Sequence, residues 1–128
     1  MMILKSETDK RIIVRGDLNG KEAKLLIDTG AVAGIISDNV VKKFDLKVNK
    51  SKKFYMQGAG GKFKAYLCET PLMIGGKLMY QFLVADIDNL IKSILTETGV
   101  EIDGIISLPQ MKGLNIDINT ASNYINIG

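Results

Sequence analysis

Leu25-Leu26-Ile27-Asp28-Thr29-Gly30-Ala31 decides how the rest of the chain is read. Three apolar residues deliver a carboxylate at the end of what reads as a buried strand, followed by a hydroxyl and a glycine free to turn tightly. Burying a lone ionised carboxylate costs several kcal/mol (of order) unless it is paired or hydrogen-bonded. Asp28 therefore needs a reason to be where it is. One reason is local: an Asx-turn, in which the side chain caps its own loop. The other is chemical: a carboxylate set at a strand end to move protons.

Working outward, the segments on either side read as strands. Arg11-Ile12-Ile13-Val14-Arg15 and Ala23 to Ile27 flank Asn19-Gly20, a hairpin signal because both residues tolerate positive φ. Ile35-Ile36 is a further short strand, and Ser37 or Asp38 caps a short helix through Phe44. Lys53 to Met56 and Lys62 to Leu67 flank the glycine-rich tip Gly58-Ala59-Gly60-Gly61. A second hairpin is expected from Pro71–Ile74 and Met79–Val84, turning at Gly75-Gly76. A helix from Asp88 puts Leu90, Ile91, Ile94 and Leu95 on one face and ends at Gly99. Gly104-Ile105-Ile106, a short turn at 108–112 and a last hairpin, Leu114–Ile118 with Tyr124–Ile127, complete the chain. Many short strands with two or three short helices predict a mostly-β barrel or sandwich, with residues 1–128 as a single domain.

Composition narrows the chemistry. The chain has no histidine, which removes Ser-His-Asp and Cys-His triads and every imidazole metal site. Its one cysteine, Cys68, removes internal disulfides and multi-thiolate zinc sites, and reads as a small core hydrophobe. The acids Asp86, Asp88, Glu97, Glu101, Asp103 and Asp117 lack the spacing of a metal-ligand loop, so no metal and no cofactor are expected. Residues 42–64 carry eight lysines against one acid, yet no arginine, which favours solvated lysines over a nucleic-acid face. The glycine tip is not a phosphate loop, because Phe63 follows Lys62 where Ser or Thr is needed. MMILKSETDK is too short in its apolar part for a signal peptide, and no run approaches the roughly 20 apolar residues of a membrane span. A soluble chain with no membrane partner is expected, cytoplasmic unless an export signal has been trimmed.

Taken together, the opening hairpin, Leu-Leu-Ile-Asp28-Thr29-Gly30-Ala31, the strand Ile35-Ile36, the glycine tip at 58–61 and Asp103-Gly104-Ile105-Ile106 resemble the retropepsin family of retroviral-type aspartic proteases, in the style of its cellular and bacterial single-domain members. The resemblance spans nearly the whole chain. It implies a closed acid-protease barrel with a glycine-rich flap hairpin, acting as an aspartic endopeptidase on peptide or protein substrates without a cofactor. Family members carry one Asp-Thr-Gly per chain and pair two chains. The single triplet here fits a homodimer in which each chain contributes Asp28 to a dyad that shares a proton. By the same resemblance Thr29 bonds across the dimer axis, Gly30 and Ala31 leave room for substrate backbone, and Gly58, Ala59, Gly60 and Gly61 fold over the bound peptide.

The chain departs from the family at three places. Ser107 stands where a glycine is usual beneath the active site, and is expected to crowd the catalytic turn or bond to it. Val32-Ala33 replaces the acidic residues that retroviral members offer to substrate backbone, and Gly34 replaces a hydroxyl residue. These departures motivate a rival reading, a non-catalytic peptide-binding or dimerisation module on the same fold. A basic RNA-binding barrel is a second rival.

Overall fold

The computed structural model describes residues 2–58 and 61–128. In chain order its strands are β1 (Met2–Lys5), β2 (Ile13–Leu18), β3 (Lys21–Asp28), β4 (Gly34–Ser37), β5 (Val48–Gly58), β6 (Gly61–Cys68), β7 (Leu72–Ile74), β8 (Lys77–Met79), β9 (Phe82–Ala85), β10 (Gly104–Ser107), β11 (Ile116–Asn119) and β12 (Tyr124–Ile127). Helix α1 spans Asp88–Thr98 and α2 spans Leu108–Gly113. The helix expected through Phe44 is instead a single 3₁₀ turn at Asp38–Val40, capped by the Ser37 hydroxyl.

Adjacent apolar residues in the central strands point to opposite faces of the sheet, and each face has its own core. Val14, Leu25, Ile36, Val84 and Ile106 fall in one cluster, closed by Met111 of α2 and by Ile125 and Ile127 of β12. Their neighbours Ile13, Leu26, Ile35, Leu83 and Ile105 fall in the other, closed by Ile91 and Ile94 of α1. Burial on both faces is why these strands read as continuous apolar runs rather than as alternating ones.

The sheet order is β5-β6-β9-β4-β10-β3-β2-β7-β8, with β10 parallel to β3 and β4 parallel to β9. Among the described residues these nine strands form an open sheet whose outer strands, β5 and β8, do not pair with each other, so the expected closure into a barrel is not seen there. A separate three-stranded sheet, β1-β12-β11, joins the two ends of the chain, with Met2 opposite Ile127 and Lys5 opposite Tyr124. The first hairpin turns where expected, at Asn19 (φ 53°) and Gly20 (φ 83°).

The hairpin expected from 71–74 and 79–84 is also revised. Gln81 adopts φ 67° and breaks the second run. Met79 ends β8, which pairs β7, whereas Phe82 begins β9, which lies between β6 and β4. This break leaves Tyr80 and Gln81 as an exposed corner.

Candidate active site

Asp28 is the last residue of β3, directly opposite Ser107 in the parallel pairing with β10. Its backbone carbonyl accepts the Ala31 N–H at 3.1 Å, and its Oδ1 accepts the Gly30 N–H at 3.0 Å. The Asx-turn is therefore made, and it aims the carboxylate rather than hiding it. Oδ2 has no hydrogen-bond partner among the described residues. The Ala31 carbonyl accepts the Leu108 N–H at 3.3 Å, tying the turn to the first residue of α2. Asp28 is half-buried, Thr29 and Gly30 are exposed, and Val32 is 79% exposed. The charge of Asp28 reaches Arg11, whose guanidinium is held above its ordinary pKa mainly by a forked hydrogen bond to Glu97 at 2.5 and 3.1 Å.

Ser107 neither crowds the turn nor bonds to it. It is fully buried and caps α2, and its hydroxyl donates to Gln110 Oε1 at 3.0 Å. The same oxygen accepts the Ser107 N–H at 2.9 Å, and Gln110 Nε2 donates to the Tyr80 carbonyl at 2.9 Å. The Gln110 amide thus links the strand end beneath Asp28 to the corner made by Gln81. Gly34 makes this possible: a Cβ there would lie 2.1 Å from Gln110 Oε1 and 2.5 Å from Nε2. Two departures from the family pattern, Ser107 and Gly34, are therefore one arrangement. Ser107-x-x-Gln110 is a capping-box spacing legible in the sequence; its reach to Gly34 and Tyr80 is not.

Beside the turn lies a cavity of about 360 Å³. Val32 and Ala33, Phe54, Met56 and Leu67 of the β5–β6 hairpin, and Gln110 are among the residues that line it. Of the residues expected to cover substrate, Gly58 and Gly61 pair across the end of that hairpin. Ala59 and Gly60 lie outside the described residues. No group of three or more metal-binding side chains occurs among the described residues, and no helix there is long and apolar enough to cross a membrane.

Residues 14–95 match the family described as "gag-polyprotein putative aspartyl protease". No curated protein matches the chain. Among solved structures, the retroviral protease-like domain of Ddi1 from Leishmania major is 20% identical with a TM-score of 0.59, covering 91% of this chain and 87% of its own. The EIAV protease in complex with the inhibitor HBY-793 is 17% identical with a TM-score of 0.64, covering 91% of this chain and 99% of its own. A strand-end Asp-Thr-Gly turn set against a β10–α2 junction, within a fold shared with these proteins and a family match over most of the chain, places this chain in the retropepsin-like gag-polyprotein aspartyl protease family.

Proposed function

We propose that residues 1–128 form one retropepsin-like domain that acts, as a homodimer, as an aspartic endopeptidase on extended peptide segments. The observation that carries this reading is the Asp28 carboxylate at a strand tip, with Oδ1 held by the Gly30 N–H and Oδ2 free of any partner among the described residues. Two such carboxylates brought close cannot both ionise, a rule known from aspartic proteases themselves. One Asp28 takes a proton from water as it attacks the peptide carbonyl. Its partner, which holds the shared proton, donates it to the developing oxyanion, and a proton then passes to the leaving amine. A site that works by sharing one proton is expected to show an acid-to-neutral activity optimum.

The surroundings fit the remaining roles. The exposed Thr29 is available for a bond across a two-fold axis. Gly30 and Ala31 present little side chain to a passing backbone. The Gly58–Gly61 end of the β5–β6 hairpin serves as the flap, because the hairpin's Phe54 and Met56 line one cavity with Val32 and Ala33. With Val32-Ala33 in place of acids, that cavity favours apolar side chains.

The Asx-turn bond at Asp28 favours one alternative, a peptide-binding module without turnover, since it gives the carboxylate a structural task. Cleavage of a peptide library by the wild-type chain and by Asp28→Asn separates the two. A protease loses cleavage in the variant while retaining peptide binding. A chain that binds peptides but cleaves none at any pH between about 4 and 7 is the module instead.

A further inference from the structure

A second cavity lies away from Asp28. It is a half-open groove of about 590 Å³, within the range of roughly 300–1,000 Å³ typical of ligand clefts. None of its lining residues belongs to the 28–34 turn or to α2. Lys64 and Tyr66, which line it, lie on the face of the β5–β6 hairpin opposite Phe54 and Met56, and Phe63 reaches it from the Met56 side. Phe54 opposite Ala65 and Met56 opposite Phe63 face inward, whereas Tyr55 opposite Lys64 and Lys53 opposite Tyr66 face outward. The groove takes its floor from Val41, Val48, Tyr66 and Val84.

Its two rims carry opposite charge. Lys50 and Lys64 stand on the hairpin side, and Asp38 and Asp86 stand where β4 and β9 end. Among the described residues none of these four makes an ion pair; the pairs present are Arg11–Glu97, Arg15–Glu7, Arg15–Glu22 and Lys92–Asp88. The carboxylates at the acidic rim also oppose one another. Burial, and then the charges of Asp86 and Asp88, push the Asp38 carboxyl above its ordinary pKa, and a cation placed there relieves that repulsion.

This polarity selects an occupant. A continuous polyanion drawn to the lysines meets Asp38 and Asp86 across the groove. A membrane surface cannot reach a recessed floor. A short peptide segment with an acidic side chain, an apolar centre and a basic side chain matches both rims and the floor at once. We propose that this groove is a second peptide-binding site, separate from the Asp28 cleft, that recognises a segment of that mixed charge. Because the same hairpin walls both cavities, an occupied groove braces the hairpin from behind.

Two-dimensional ¹H–¹⁵N NMR of the full chain tests this, with blocked tetrapeptides of sequence glutamyl-leucyl-valyl-lysine, its all-acidic and all-basic counterparts, and a short oligouridylate as probes. The work is done on wild type and on Asp28→Asn, so binding is read whether or not a probe is cleaved. The mixed peptide is expected to shift the amides of Tyr66 and Val84 more than those of Val32 and Ala33, and to bind at least about 10-fold more tightly than the other probes. Lys50→Glu with Lys64→Glu, and separately Asp38→Lys with Asp86→Lys, are each expected to weaken it about 10-fold. Reversing all four charges restores binding to within about threefold, with the peptide turned around. The proposal is overturned if neither pair of substitutions changes the affinity, if shifts concentrate at Val32 and Ala33, or if no peptide binds at about 1 mM. Tighter binding of the oligouridylate than of the mixed peptide also overturns it and marks a polyanion surface. None of these outcomes bears on whether Asp28 cleaves peptides.

Discussion

At the scale of single residues, the Gln110 amide is the most constrained group near Asp28. A methyl at Gly34 displaces it, and the amide can swing away only by giving up its bonds to Ser107 and Tyr80. Gly34→Ala is expected to cost about 1–3 kcal/mol, because a buried N–H and a carbonyl are left unsatisfied. Gln110→Ala orphans the same groups and is expected to cost a similar amount. Once the amide is gone, however, the three atoms nearest a Gly34 methyl are gone with it. The double variant should therefore fall short of additivity by about 1 kcal/mol or more in urea unfolding; strict additivity would show that the contact is not shared. Cys68 yields a second test. It is buried with its Sγ 3.6 Å from the Thr70 carbonyl, and burial pushes the thiol pKa up. Thiol reagents at neutral pH are expected to label it only as fast as the chain unfolds; fast labelling of the folded chain contradicts this.

At the scale of elements, Asp103 holds three strands in place. Its N–H donates to the Lys24 carbonyl at 2.7 Å, its carboxylate accepts the Lys24 N–H at 2.8 Å, and its carbonyl accepts the Ser37 N–H at 2.8 Å. The side chain thus pins β3 at the entry to β10, and Asp103→Ala is expected to cost about 1–3 kcal/mol by leaving the Lys24 N–H unpaired. Burial raises the Asp103 carboxyl above its ordinary 3.8, with the Lys24 hydrogen bond opposing. Between 3.8 and the raised folded value the native state holds more protons than the unfolded one, so this group adds stability as pH falls through that window and removes it as pH rises. Asp103→Asn keeps the acceptor and deletes the titration. The stability difference, variant minus wild type, should shrink between pH 7 and pH 4, and a difference flat with pH would rule the effect out. Glu7 and Glu97, each lowered chiefly by an arginine hydrogen bond, act in the opposite sense below 4.5 in both chains and cancel in that comparison.

At the scale of the whole molecule, the Asp28 turn presents Thr29, Gly30 and Val32 to solvent. A site that needs two copies of Asp28 must be completed by another chain over this surface. Sedimentation velocity at pH 5 and pH 7 is expected to show a species of twice the 14.0 kDa chain mass, and Asp28→Asn should leave that mass unchanged. A monomer at every concentration would leave Asp28 unpaired and remove the endopeptidase reading for the isolated chain. Because β1 already pairs β12 within one chain, such a dimer does not need the two ends of one protomer to be completed by the other.

The site was legible where its logic is local. Asp28-Thr29-Gly30 at a strand end, the Asn19-Gly20 turn and the amphipathic run 88–98 each depend on residues within one element, and the structure places all three, with α1 ending at Gly99 in the left-handed conformation, although Leu95 of its expected apolar face is exposed. What the chain alone determined about this protein is therefore its family, its strand-rich class and the carboxylate at the centre of its turn. Tertiary structure alone decided the rest. It settled the open order of nine strands among the described residues, the break at Gln81 that splits one expected strand in two, and the pairing of Met2–Lys5 with the far end of the chain. It also turned Ser107, Gly34 and Gln110 from separate departures into one buried network. Each of these rests on partners brought together from distant parts of the sequence. The free energy of such a contact exists only once the intervening chain has folded, so no window along the sequence contains it.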